Sequence, residues 1–233
     1  MVDRARELAK ERGYAVLAPI DAAYERGEIT KAQWHDRVRA IIEPAYLAGT
    51  TAQAGSGHSG SAAEWDASRG IIVVAIDRSG TFLDVGCANG LLMSSVEQWS
   101  ADRGLAVEPH GVEISSHFAE VARTRYPHWR DRIWTANADG WEPPMRFDMV
   151  RTGLDYVPRP DREAFVRHLV DRVVAPGGRL IIGKNNEDRD EPGIADTVRY
   201  WGWRGVREVR RPHAHPGVEA SVVWLDQPVV END

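Results

Sequence analysis

The chain predicts an α/β fold: a doubly wound, mostly parallel seven-stranded sheet with one antiparallel strand near the end, plus a helical N-terminal cap. Three observations predict it. From residue 81 onward, short apolar runs alternate with segments of helical period, the pattern of βαβ units around a parallel sheet. The first of these runs, Thr81 to Val85, passes directly into a turn of small residues, Gly86 to Gly90, and then into a helical pattern. The last two runs, near 205–211 and 219–225, are joined only by Pro212 to Gly217, and so short a connection makes an antiparallel pair.

In chain order, residues 3–12 read as a short charged helix. Thr30 and Gln33 form a capping box, and Trp34, Val38, Ile41, Ile42 and Ala45 follow as an apolar stripe. Pro44 should kink or shorten that helix. Residues 53–60 are a flexible glycine-rich loop. Ser61 and Glu64 make a second capping box, opening a helix from Ala62 to about Ile76 that Gly70 weakens. Strand 81–85 leads to helix 91–101 and strand 108–113. Ser115 caps helix 116–125, with Phe118, Val121 and Ala122 inward. Strands 132–136 and 147–151 follow. Helix 161–174 carries Phe165, Leu169 and Val173 and stops at Ala175-Pro-Gly-Gly178. Strand 179–183 and a helix over about 193–202 precede the closing pair. Residues 1–60 thus form the cap and glycine-rich loop, 61–228 the α/β domain and 229–233 a tail.

Composition narrows the function. Of 233 residues 42% are hydrophobic, enough for a substantial core, and the net charge is −6. No basic patch of the kind that grips nucleic acid stands out; Arg207, Arg210 and Arg211 read as a solvated strand edge. The lone Cys87 excludes an intramolecular disulfide and fits a reducing compartment. No apolar stretch reads as a signal peptide or is long enough to cross a membrane, so the expected location is cytoplasmic. No compact His/Asp/Glu cluster has metal-ligand spacing, and no metal is expected.

Ligands of such sheets bind beyond the carboxyl ends of the strands, and these ends carry an ordered polar set. Asp84 closes the first strand, before Gly86, Cys87, Ala88, Asn89 and Gly90. A dinucleotide turn needs Gly-x-Gly-x-x-Gly; here Ala88 and Leu91 stand at the second and third positions, which disfavours a nicotinamide oxidoreductase. A carboxylate at Asp84 suits a ligand with a cationic group. Glu113 ends the second strand, 27 residues after Gly86, where a carboxylate can accept from both hydroxyls of a ribose. Asn137, Ala138, Asp139 and Trp141 follow the third strand, and Arg151 and Thr152 end the fourth.

Taken together, Asp84-x-Gly-x-Ala-x-Gly90, Glu113, Asn137/Asp139 and Val174-Ala-Pro-Gly-Gly-Arg-Leu-Ile-Ile182 resemble the class I S-adenosylmethionine (SAM)-dependent methyltransferases over roughly residues 62–225. The usual form of the first motif is acid-x-Gly-x-Gly-x-Gly; Ala88 is the one departure. The resemblance implies SAM as cofactor, with S-adenosylhomocysteine (SAH) as product. It places Asp84 and Gly86–Gly90 at the methionine end, Glu113 at the ribose, Asn137 to Asp139 at the adenine edge, and Ile114 and Trp141 about the ring. Trp141 reads equally as core or lid.

The reaction implied is SN2 methyl transfer to O or N of a small-molecule acceptor. His58, Asp155 and Tyr156 are the candidate catalytic residues, and Lys184, Asn185 and Asn186 candidates for the substrate mouth. His213 and His215 read as surface. Three alternatives stay open: SAM chemistry other than methyl transfer, a nucleic-acid methyltransferase and a non-catalytic SAM-binding protein; a homodimer is compatible with each. Against a nucleic-acid acceptor, the fourth strand ends in Arg-Thr-Gly-Leu-Asp-Tyr156, where amino-methylating enzymes carry Asn/Asp-Pro-Pro-Tyr/Phe.

Overall fold

The computed structural model describes residues 15–187, 193–212 and 219–227. The helix expected over 3–12 and the histidines His213 and His215 lie outside them. Helices are numbered from α1, which covers 15–25, and α2, Lys31–Leu47.

The sheet has seven strands: β1 (Gly80–Val85), β2 (Val107–Glu113), β3 (Ile133–Thr135), β4 (Phe147–Thr152), β5 (Val174–Glu187), β6 (Arg207–Pro212) and β7 (Glu219–Asp226). Their order is β3-β2-β1-β4-β5-β7-β6. Strands β1 to β5 pair in parallel, and β7 lies antiparallel between β5 and β6. This is the sheet the sequence predicts. Strand β5 is longer than expected. It starts immediately after the preceding helical segment, and the Ala175–Gly178 stretch is absorbed as an irregularity in its pairing with β4.

Both sheet faces are buried, and the strands show why. Phe82, Met149, Ile181, Val222 and Trp224 point to one side, where Trp65, Ile72, Leu92 and Val96 pack. Leu83, Val150, Leu180, Ile182 and Val223 point to the other, against Phe165, Leu169, Val173 and Val198. Successive side chains of a strand alternate faces, so continuous apolar runs are required when helices cover both.

The helices α4 (Leu91–Ala101) and α5 (Ser116–Arg125) match their expected bounds. Ser115 Oγ accepts from the Phe118 amide, as a cap should. Within α5, however, Val121 is exposed at 38%; Ala119 joins Phe118 and Ala122 in the buried stripe, so the helix is rotated from the expected face. Three other helices depart from their predictions. Helix α3 is α-helical only over Ala62–Arg69 and tightens into a 3₁₀ segment, Gly70–Ala75, at the glycine expected to weaken it. Helix α6 (Arg162–His168) widens into a π turn, Leu169–Val173. Helix α2 runs past Pro44 to Leu47; the proline removes one amide, and its own carbonyl accepts from Ala48 to close the last turn. The last helix, α7, is Ile194–Tyr200. Both predicted capping boxes are present.

The N-terminal helices are fastened to the carboxyl end of the sheet. Lys31 Nζ pairs with Asp139 at 2.9 Å and Asp161 at 3.1 Å, and Tyr24 donates to Asp161 at 2.7 Å. Glu43 accepts from Ser115 Oγ at 2.5 Å. Their own apolar core is Ile20, Ala23, Ile29 and Trp34. The 53–60 stretch, expected to be flexible, contains a 3₁₀ turn, Ala54–Ser56. It is tied to Asn89, which accepts from Ser56 Oγ at 2.5 Å and donates to the Ala52 carbonyl at 2.8 Å.

Ala88, the motif's departure from glycine, has φ 46° and is the one non-glycine residue at positive φ among the described residues. A Cβ in the left-handed region costs about 1–2 kcal/mol, while glycine loses about 0.4–1 kcal/mol more backbone entropy on folding. Ala88→Gly should therefore raise stability, by roughly 0.5–1 kcal/mol in chemical denaturation. A loss of that size would mean that the Ala88 methyl contributes packing that outweighs the strain.

Candidate active site

The carboxyl ends of β1, β2 and β4 bring two groups of candidate residues together. The first is Asp84, Gly86, Arg151 and Tyr156. Asp84 is 1% exposed and Arg151 9%. Arg151 Nη1 donates to Asp84 Oδ1 at 3.1 Å and to the Tyr156 hydroxyl at 2.9 Å. The Tyr156 ring lies against Gly86, whose φ of 71° and lack of a side chain admit it; a Cβ there would be 2.9 Å from the ring. Burial raises the Tyr156 phenol well above its ordinary value, Arg151 opposing. Such a phenol accepts a hydrogen bond and keeps its proton near neutrality.

Burial also raises the Asp84 carboxyl, against the pull of Arg151, to about 6. Between the ordinary 3.8 and about 6 the folded chain holds this proton and the unfolded chain does not. The contribution of Asp84 to stability must then fall as pH rises through that window. Thermal melts should show wild type losing ground to Asp84→Asn from about pH 4 to about pH 6, and a constant difference above. A flat difference throughout would mean that Arg151 cancels the burial of the carboxylate.

The second group centres on Glu113, 5% exposed at the end of β2. Its two oxygens accept from the amides of Ala88 and Ser115, each at 2.9 Å. Burial pushes its carboxyl up, and these amides pull it back. The glycine turn is thereby clipped to the acid on the next strand, with the Ile114 amide also bonding the carboxylate.

Geometry and family meet at this turn. Residues 82–178 match the family model for a methyltransferase domain. With the Asp84–Gly90 turn and the strand order, the chain has the Rossmann-like fold of the class I, SAM-dependent methyltransferases. Solved structures share the fold. The 1,6-didemethyltoxoflavin-N1-methyltransferase of Burkholderia thailandensis, solved with 1,6-didemethyltoxoflavin and SAH, superposes with a TM-score of 0.63 at 15% identity, covering 86% of this chain and 91% of that one. The N-methyltransferase NodS of Bradyrhizobium japonicum WM9, in complex with SAH, gives 0.56 at 14% identity, covering 81% and 97%. The cyclase SpnF gives 0.52 at 16%, covering 70% and 81%. No curated protein sequence matches the chain significantly.

Around the turn, other candidates take separate places. Cys87 is a core residue: burial raises its thiol far above the ordinary value, and it packs with Met93, Ala119 and Ala122. A Cβ on Gly111 would touch its Sγ at 2.7 Å, so β2 depends on this close fit. Gly90, at φ 78°, starts α4, with the Leu91 amide capped by Asn89. Thr152 is fully buried and donates to the Gly153 carbonyl. Asn137 accepts from the Asp139 amide, while Asp139 is engaged by Lys31. Ala138 is in the core, Ile114 is half-buried, and Trp141 packs on Trp134 at 5.6 Å. His58 meets the Trp65 ring edge-on at 5.6 Å. Asp155 is exposed beside Tyr156. Lys184, Asn185 and Asn186 continue β5.

Two residues of the site escape the sequence reading. Tyr46, near the end of α2, stacks on Phe118 at 5.5 Å, and its hydroxyl reaches Gly57. Burial and then Asp155 raise its phenol, with Glu113 and Arg151 also within electrostatic reach. Arg69, at the end of α3, lies over the Trp65 ring at 5.4 Å. Burial and then Arg151 disfavour its charge. Trp65 and Arg69 stand four apart on a helix, a spacing that pairs side chains and was the available signal.

Proposed function

We propose that the chain is a SAM-dependent methyltransferase acting on O or N of a small molecule. The observation that carries this reading is the clip between Glu113 and the Gly86–Gly90 turn: a buried carboxylate at the end of β2, fixed by the Ala88 and Ser115 amides. A carboxylate held there suits the hydroxyls of a ribose, which would donate to it. Asp84, one strand over, suits an ammonium, and Asn137 and Ile114 stand where an adenine edge and face would lie. The glycine turn lets a ligand approach the backbone.

SAM supplies a methyl on a sulfonium that leaves without acid catalysis. The chain's own work is alignment and exclusion of water. The α1–α2 cap, fixed by Lys31 and Glu43, covers the strand ends and supplies Tyr46. Tyr156 is held over Gly86 by Arg151 and acts as a positioning group, since its proton is retained. Asp155, exposed beside it, takes the acceptor's proton where the acceptor has one to lose. A small-molecule acceptor agrees with the net charge of −6 and with the acceptors named for the toxoflavin enzyme. Among the described residues no helix is long and apolar enough to cross a membrane.

Calorimetry with SAM, SAH and NAD(P)H side by side tests the cofactor: the two adenosyl ligands should bind at micromolar concentration and the nicotinamides should not. Mass spectrometry of turnover mixtures tests the chemistry, with SAH as the expected product. Methylthioadenosine would instead mean another SAM reaction, and binding with no turnover of any acceptor a non-catalytic role.

A further inference from the structure

Tyr46 is held between the two elements that would grip an adenosyl ligand. It follows Glu43 by three positions on α2, so the two side chains share a face of the helix. Glu43 Oε1 accepts from Ser115 Oγ at 2.5 Å and lies 2.7 Å from His117 Nδ1. The Ser115 amide in turn donates to Glu113 at 2.9 Å. This face of α2 is thereby fixed to the end of β2. Further along the chain, residues 52–56 are fixed to the glycine turn. There Asn89 donates to the Ala52 carbonyl at 2.8 Å and accepts from Ser56 Oγ at 2.5 Å. Tyr46 stands between these two tethers, one to the Glu113 clip and one to the turn after β1.

Its ring is seated, and its hydroxyl is left over. The ring stacks on Phe118 at 5.5 Å, with 26° between the planes. The hydroxyl abuts Gly57, where a Cβ would overlap it. Among the described residues the hydroxyl makes no hydrogen bond. A largely enclosed polar group without a partner costs stability, and a ligand that reaches it offsets that cost. Burial and the field of Asp155 keep the proton on the phenol, and Glu113 and Arg151 are also within electrostatic reach. A neutral phenol oxygen has lone pairs to offer.

With the ribose on Glu113 and the methionine ammonium on Asp84, the sulfonium that joins them lies between those two strand ends. Its positive charge polarises the C–H bonds of the methyl and the neighbouring methylenes. Such groups donate to oxygen, and a charge on the donor strengthens the bond.

We propose that the Tyr46 hydroxyl oxygen contacts the sulfonium of SAM, accepting from its polarised C–H groups and holding the methyl in line for transfer. This inference rests on the SAM reading of the site. Transfer moves the methyl to the acceptor and leaves the C–S bonding pair on sulfur, which becomes the neutral thioether of SAH. The contact weakens as the charge disappears. It therefore favours cofactor over product, which a packing role for the same hydroxyl would not do.

Calorimetric titration of the full chain with SAM and with SAH, in wild type and in Tyr46→Phe, tests this. The substitution keeps the ring and its stack on Phe118 and removes the oxygen. SAM should bind about three- to tenfold more weakly, and SAH within about twofold of wild type, the scale of a C–H···O contact strengthened by charge. Without ligand the variant should melt no lower than wild type, because the lost hydroxyl has no partner in the chain. Equal weakening of SAM and SAH, whatever the melting temperature, would make the hydroxyl a structural part of the cap and overturn the proposal. Unchanged affinity for both would also overturn it, and would turn the hydroxyl toward the acceptor. If wild type binds neither ligand, the cofactor itself is wrong and the Tyr46 contact falls with it. If wild type binds both and their ratio does not move in the variant, the Tyr46 contact alone fails.

Discussion

Asp84→Ala should destabilise the fold by about 3–5 kcal/mol near neutral pH, the scale for removing one partner of a buried ion pair. The cost falls on Arg151, which would keep its charge at 9% exposure with only the Tyr156 hydroxyl as a partner for Nη1. The deficit should grow as pH falls from about 6 to about 4, because the folded chain takes up a proton at Asp84 before the unfolded chain does. Combining Asp84→Leu with Arg151→Met replaces both charged groups by apolar ones and should recover most of the loss, because paired apolar replacements of buried ion pairs are often neutral. SAM binding should vanish in Asp84→Ala even where the fold persists, since the turn and the methionine end share this acid. Chemical denaturation with parallel calorimetry checks both halves. A stability loss below about 1 kcal/mol would mean that water reaches the pair.

Glu113→Ala should weaken SAM and SAH by about 2–3 kcal/mol, the scale for hydrogen bonds to a charged group. The same change frees the amides of Ala88 and Ser115. Each then looks for water in a place Glu113 had closed, so a further stability loss of about 1–3 kcal/mol is expected. Calorimetry on the folded variant separates the two effects. An affinity change of a few tenths of a kcal/mol would place the ribose elsewhere.

The sequence made the sheet and its turn legible because their signals are local. Thr81–Gly90 spells a strand and a turn in consecutive residues, and Ser115 caps α5 three residues before the amide it accepts from. The antiparallel β7 followed from a connection too short for a helix. Helix ends set by tertiary packing were less legible. Nothing around Pro44 announces that α2 continues to Leu47, and the inward stripe of α5 includes Ala119 in place of Val121 because the neighbouring strands, not the spacing, choose the rotation.

The site divides in the same way. Asp84, Gly86 and Glu113 could be assigned from order along the chain, since strand ends gather at one edge of such a sheet. Their partners could not. Arg151 neutralises Asp84 from 67 residues away, and Asp139, read as an adenine contact, is held by Lys31 from the cap. Tyr46 and Arg69 reach the site from helices before β1, where helical period shows which face is apolar but not which polar side chain a neighbouring element will enclose. Cys87 sits in the turn by sequence and in the core by side chain, because successive residues of a tight turn point in different directions.

The measurement that bears most directly on the central claim is a double-mutant-style cycle on the ribose. Wild type and Glu113→Ala are each titrated with SAH and with its 2′-deoxy and 3′-deoxy analogues. If Glu113 holds the diol, wild type should lose affinity for both analogues, while Glu113→Ala should bind all three ligands about equally, giving a coupling of about 1 kcal/mol or more. Equal penalties for the missing hydroxyls in the two proteins would contradict the account and move the adenosyl ligand off the Glu113 clip.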